Sequence, residues 1–214
     1  MNSLTDKRLV PGPAGQIEVA IDLPAEGSPP VGTALICHPN PTQGGTMDNK
    51  VVQTLARAFV HLGWRAVRFN FRGIGKSEGG WDEGRGEVDD AIAVLDAVRA
   101  PGEALILAGF SFGGYVASRA AQRLAEPAEA ANRLVLVGPA TSRFDMPVVP
   151  ADTVVIHGEA DDVVPLSAVL DWARPQGLPV IVVPGVGHFF HGQLPLLKSL
   201  VVRAFDPSLD VARA

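Results

Sequence analysis

The chain has 214 residues, 47% of them hydrophobic and 19% charged, which supplies a sizeable buried core and excludes a disordered chain. Eighteen basic against 23 acidic residues leave a formal charge of −5 at pH 7, with no basic cluster, which argues against nucleic acid or an anionic membrane as partner. A lone cysteine, Cys37, excludes an internal disulfide framework and any multi-cysteine metal site. Residues 1–10 hold no apolar segment of signal-peptide length, and no apolar run is long enough to span a bilayer. The expectation is a soluble, cytoplasmic protein with a single domain over residues 1–214.

Residues 16–23 alternate as a half-buried strand would, and the Pro/Gly/Ser-rich stretch 24–32 then turns the chain. Short apolar runs follow at 33–39, 65–71, 104–111, 133–140, 153–161 and 179–184. Most carry β-branched residues and each is bounded by Gly, Pro, Asn or Asp, the pattern of strands buried on both faces. Stretches of helical period lie between them, at 48–62, 83–99, 112–125, 166–173 and 193–205. In the first, Val51, Val52, Leu55, Ala58, Phe59 and Leu62 share one stripe, with Asp48 as N-cap. This alternation predicts a mostly parallel, twisted sheet with helices on both faces, and in such sheets the ligand site lies at the carboxyl ends of the strands.

At one such end the sequence reads Gly109-Phe110-Ser111-Phe112-Gly113-Gly114. A G-x-S-x-G run between a strand and a helix makes a sharp turn that exposes the serine hydroxyl, and small residues on either side let the backbone pass. The helix beneath adds partial positive charge where an oxyanion would form. The plainer reading of Ser111 is a helix cap in a tight turn. A serine nucleophile needs a base oriented by a carboxylate, and on a sheet of this kind the acid and then the histidine follow it in the chain. After the run at 153–161 come Glu159, Asp161 and Asp162, ahead of Pro165 at the next helix. Asp161 is the chosen acid, Asp162 its near competitor and Glu159 a weaker one. Capping the following helix is the structural alternative, and the reading is that one aspartate caps while the other does chemistry. His188, on a Gly-flanked loop after the last strand, is the chosen base, with His191 three residues on; His157 reads as a strand residue.

Acyl transfer also needs donors for the oxyanion. One is the N–H of Phe112; the other belongs to the loop after the strand ending near Cys37, which reads His38-Pro39-Asn40-Pro41-Thr42-Gln43-Gly44-Gly45. Neither proline has an N–H, so Asn40 leads, with Gln43 and Gly44 open if the loop folds back. The run Gly73-Ile74-Gly75-Lys76-Ser77 imitates the end of a phosphate loop, but position 70 is Asn rather than Gly and Glu78-Gly79-Gly80 is a poor helix start. No G-x-G-x-x-G opens a helix and no histidine pair has metal-ligand spacing, so neither cofactor nor metal is expected. Cys37 reads as packing.

These segments together resemble the α/β-hydrolase superfamily, and over nearly the whole chain its small, lidless bacterial serine hydrolase branch. The carrying segments are His38–Pro41 with Gly44–Lys50, Arg68–Gly75, Gly109–Gly114, His157–Pro165 and Gly185–His188, in the expected order. The resemblance implies the α/β-hydrolase fold and a Ser-Asp-His hydrolase, and it makes Asn70 and Arg72 loop-organising residues. Pro39 departs from the family's more usual His-Gly. Only residues 141–152 join the last two central strand runs, too short for a helical cap domain, so the site should be an open cleft with Met47, Trp81, Phe110, Phe189 and Phe190 as apolar walls. The expected function is hydrolysis of carboxylic esters with short or exposed acyl groups, through an acyl-enzyme. A thioesterase or small peptidase on the same residues is the alternative, and a non-catalytic binding protein on this fold is the alternative from another class.

Overall fold

The computed structural model describes residues 5–25, 29–124, 126 and 129–205. Among the described residues, eight strands form one sheet: β1 (Asp6–Gly12), β2 (Gly15–Asp22), β3 (Thr33–Cys37), β4 (Arg65–Phe69), β5 (Leu105–Phe110), β6 (Arg133–Val137), β7 (Val154–Gly158) and β8 (Val180–Val183). Their spatial order is β1-β2-β4-β3-β5-β6-β7-β8. The first two pairings are antiparallel and all the others parallel. Five α-helices among the described residues cover it: α1 (Lys50–His61), α2 (Arg85–Val98), α3 (Phe112–Arg123), α4 (Leu166–Ala173) and α5 (Leu194–Arg203).

Because successive strand residues face opposite sides, each central strand feeds two cores. In β3, Leu35 and Cys37 join the core shared with α2, α3 and α4, while Ala34 and Ile36 join the one under α1 and α5. Leu35, Leu55, Phe59 and Leu105 are each completely buried, and each such side chain is worth roughly 1.5–3 kcal/mol of transfer free energy. The near-continuous hydrophobicity of β3, β5, β6 and β7 is what a sheet covered on both faces requires.

Several expectations need correction. Strand β1 falls in the segment the sequence reading left without structure: Asp6, Lys7 and Arg8 hide the pattern, and they are tolerable because this is an exposed edge strand. Strand β8 is not buried on both faces; it is the other edge, with Ile181 and Val182 each 37% exposed. Helix α1 is capped by Asn49, whose Oδ1 accepts the Val51 N–H at 2.9 Å, and not by Asp48, which instead meets Arg68 and Lys7. Residues 141–152 carry no helix. They lie flat on the core, with Met146 and Val149 buried and the Phe144 ring 5.1 Å from that of Phe112. No cap stands over the carboxyl edge at this connection.

Candidate active site

Ser111 directly follows β5 and precedes α3, with φ 55° and ψ −120°, a conformation that L-residues rarely hold. The turn is possible because its glycines are pressed against backbone: a Cβ on Gly109 would come within 2.1 Å of the Gly113 carbonyl oxygen, and one on Gly113 within 2.1 Å of the Cys37 oxygen. The second contact lays the end of β3 and its loop on the first turn of α3. The Ser111 side chain caps nothing. The Phe112 N–H heads a helix whose first amides have no intrahelical acceptors.

The loop after β3 is held from below. His38, fully buried, has its Nε2 3.0 Å from the Phe71 amide and its Nδ1 2.7 Å from the Pro39 carbonyl. The amide can only donate and the carbonyl only accept, which fixes the proton on Nδ1. Burial pushes the pKa of this ring down to about 4, so it stays neutral. Within the loop, the N–H of Gln43 goes to the Asn40 oxygen and that of Gly44 to the Pro41 oxygen. Asn40 Oδ1 accepts from Thr42, whereas the Asn40 N–H has no partner among the described residues.

Two further loops bring acid and base together. Glu159 and Ala160, just past β7, donate backbone N–H bonds to Val183, the last residue of β8, and to Val186 beyond it, and the Gly185 N–H returns to Glu159 Oε2. A Cβ on Gly158 would sit 2.2 Å from the Val186 oxygen, so glycine is what permits this approach. As a result His188 Nδ1 lies 2.6 Å from Asp161 Oδ2, a short charge-assisted bond between two buried side chains. Asp161 Oδ1 accepts from Val163 at 2.9 Å and Val164 at 2.7 Å. Burial works to raise its pKa, but the bonds from His188 and Val164 outweigh that and hold the carboxyl below its ordinary value. Asp161 therefore meets both His188 and the amides of the 163–164 turn, whereas neither aspartate caps α4, whose N-terminal position is Pro165 without a side-chain cap, and Asp162 is exposed. Glu159 serves the loop backbone, and exposed His191 precedes α5.

The histidine and the serine turn both border the end of β6. The Ser111 N–H donates to the Val137 carbonyl at 2.9 Å, and a Cβ on the next residue, Gly138, would lie 3.2 Å from His188 Cε1. Gly138, at φ 51°, is thus the gap through which the imidazole lies beside the serine turn. The sequence reading missed this residue and Gly158, since no motif marks them. Asn70 and Arg72 do organise loops: Asn70 Oδ1 accepts the Met47 N–H and its Nδ2 donates to Glu18, while Arg72 grips Asp90 with three N–H bonds. Of the expected apolar walls, Met47, Phe110 and Phe190 are core residues, and only Trp81 and Phe189 present open surface, at 37% and 42%. The Trp81 ring is 5.0 Å from Phe112, and the Phe189 ring 5.1 Å from His188. The segment 73–77 forms turns and enters no helix, as a phosphate loop must; Ser77 Oγ donates to the Asn70 carbonyl. Cys37 is buried, which raises its thiol pKa well beyond the usual range and keeps it unreactive.

A hollow of about 460 Å³ adjoins the histidine loop, lined by Asp162, Val163, Gly187, His188 and Phe189. A separate groove of about 490 Å³ lies beside α1, where Arg68 is matched by Asp22 and Asp48. No group of three His, Cys, Asp or Glu among the described residues could hold a metal ion.

Residues 29–151 match the family model described as serine aminopeptidase, S33. The chain is 40% identical to a Xanthomonas campestris α/β serine hydrolase without a lid, with a TM-score of 0.86 over 95% of this chain and 94% of that one. It is also 40% identical to an α/β serine hydrolase homologue from Coxiella burnetii, TM-score 0.81, over 94% of this chain and 97% of that one. An uncharacterised protein of Rickettsia prowazekii (strain Madrid E) is 30% identical over 84% of this chain and 79% of its own length. A strained serine at the end of the fifth strand, on a sheet with no cap among the described residues, accords with these likenesses, and the chain belongs to the α/β-hydrolase superfamily, in its lidless serine hydrolase branch.

Proposed function

We propose that the protein hydrolyses carboxylic esters through an acyl-enzyme, with Ser111 as nucleophile, His188 as base and Asp161 as its orienting acid. One observation carries this reading: the His188–Asp161 pair lies over Gly138 at the same sheet edge as the strained turn of Ser111, while His188 Nε2 is left without a hydrogen-bond partner among the described residues. Ser111 Oγ attacks the ester carbonyl carbon as His188 Nε2 takes its proton. The Phe112 and Asn40 N–H groups receive the oxyanion, the first with the help of the α3 dipole. Collapse expels the alcohol, which takes the proton from His188, and water repeats the sequence to release the acid. Asp161 holds the imidazole with Nδ1 protonated and Nε2 free. Asn40 is favoured over Gln43 and Gly44 because their amides are spent inside the loop.

The uncapped edge and the exposed rings of Trp81 and Phe189 suit a short or exposed acyl group. The description of the matching family model favours one second reading, amide hydrolysis from a peptide amino end. The remaining expectations belong to the same proposal: one domain, acting in the cytoplasm on a small-molecule ester, without nucleic acid. No helix among the described residues is long and apolar enough to cross a membrane.

The test is covalent labelling with a fluorophosphonate, with turnover of p-nitrophenyl acetate and an amino-acid p-nitroanilide measured in parallel. The ester reading expects labelling that disappears in Ser111→Ala and ester turnover well above anilide turnover. A folded wild-type protein that neither labels nor turns over ester overturns it. Faster anilide turnover transfers the same residues to the peptidase reading.

A further inference from the structure

Beneath Asp161 lies a second histidine that the proposed mechanism leaves unused. His157, the penultimate residue of β7, is completely buried. Its Nε2 is 3.0 Å from the Val164 carbonyl oxygen and 3.6 Å from Asp161 Oδ2. A carbonyl and an ionised carboxylate only accept, so Nε2 must carry the proton. Nδ1 is then a bare lone pair, and it is buried with no hydrogen-bond partner among the described residues. A second proton would put a charge and an unpaired donor into that pocket, and burial accordingly lowers this ring's pKa.

The contacts close a ring around the carboxylate. The Val164 N–H holds Asp161 Oδ1, the Val164 carbonyl is held by His157 Nε2, and the same Nε2 lies 3.6 Å from Oδ2. Oδ2 is the oxygen that takes His188 Nδ1. The titratable groups facing His157 are Asp161 and His188, while β8 presents Val182 beside it and β6 pairs with its neighbour Ile156 through Val137. We infer that His157 is a positioning residue for the Ser111 reaction, a neutral N–H donor that fixes the 161–164 turn and the direction in which Asp161 Oδ2 meets His188. The orphaned buried nitrogen supports this, because an apolar side chain of similar shape would leave no hydrogen bond unmade at Nδ1.

The inference rests on the reading of Ser111, His188 and Asp161 given above. Two replacements separate position from bulk. In His157→Gln the amide nitrogen lies the same number of bonds from Cα as Nε2 and can still donate to Val164. In His157→Met a methyl group takes that place and the donor is lost. With both variants folded by circular dichroism, His157→Met should lower kcat about 10- to 100-fold with KM little changed, the size of effect expected when an orienting partner is removed. The acid limb of its kcat/KM profile should move to higher pH, since Oδ2 then holds the His188 proton more strongly. His157→Gln should restore both. A merely structural role moves thermal stability in the two variants and leaves kcat and the pH profile of the folded enzyme unchanged, and that result overturns the inference.

A second measurement does not depend on turnover. In ¹⁵N NMR of the wild-type protein at neutral pH, His157 should show a protonated Nε2 and a bare Nδ1. A ring that is doubly protonated there, or that carries its proton on Nδ1, overturns the inference with the triad reading intact. Absence of Ser111 labelling in the folded wild type overturns the triad reading, and the positioning role falls with it.

Discussion

Two buried histidines at the same sheet edge have opposite employment. His188 gives Nδ1 to a carboxylate and leaves Nε2 without a described partner; His38 gives Nδ1 to the Pro39 carbonyl and spends Nε2 on the Phe71 amide. Both rings are nearly or completely buried, both follow a parallel strand, and both are in contact with a phenylalanine ring. The difference lies in what occupies each nitrogen. A carboxylate partner stabilises the imidazolium that forms as a proton is taken, whereas a carbonyl offers much less, and a nitrogen already bonded to backbone has no lone pair to lend. Burial and strand-end position mark a candidate base, but the free nitrogen and its charged partner decide between machinery and scaffold.

The sharpest break comes at the working end. Ser111→Ala and His188→Ala should each cut ester turnover by about 10⁵-fold, with residual rate from oxyanion donors alone and a near-native melting temperature. Next is Asp161→Asn. Its amide can face His188 with a donor, which forces the proton to Nε2 and points an N–H at the serine; turnover should fall about 10³- to 10⁴-fold while the Val163 and Val164 amides keep their acceptor, as read from kcat and hydrogen-exchange protection.

The scaffold end is tested by pH rather than by rate. The His38 pKa is about 4 in the folded protein against an ordinary 6.5. Between these values the unfolded chain binds a proton that the native chain does not, so stability is fully present above pH 6.5 and falls as pH drops toward 4. The loss is on the order of 3 kcal/mol across that window. Urea titrations at several pH values should show it, and His38→Gln, whose carbonyl can still accept from Phe71, should flatten the slope. His157, also lowered by burial, leaves a smaller slope of the same sign in that variant. The smallest effect concerns backbone strain. Ser111→Gly should melt about 2–4 °C above Ser111→Ala, because only glycine relaxes at φ 55°.

The legible parts of this molecule were those where one residue type had one reason to be present. The alternation of apolar runs and amphipathic stretches gave seven of the strands and all five α-helices among the described residues, and Leu166–Ala173 to the residue; the central strands were plainest, because burial on both faces leaves no room for polar residues. The chain order Ser111, Asp161, His188 pointed to residues that the fold brings to one edge. Other features depend on distance rather than identity. Nothing in the sequence says that Gly138 clears space for an imidazole, or that Asp161 has two oxygens in separate service. Charges concealed β1, and the strand at 33–39 stops at Cys37 because His38 turns inward to hold Phe71. The apolar walls were misjudged at Met47, Phe110 and Phe190 because hydrophobicity alone does not separate lining from core.

The flat connection between β6 and β7 has a consequence for control. A hydrolase with a hinged cover can delay substrate entry, respond to an oil–water surface by opening, or hold product until the cover lifts. Residues 141–152 are instead pinned by Phe144, Met146 and Val149 to the body of the molecule, so at this face entry and exit are matters of diffusion. Reaction velocity should follow substrate concentration without a jump where a sparingly soluble ester begins to form droplets. Control over when such a protein works passes from its own movements to the supply of its substrate.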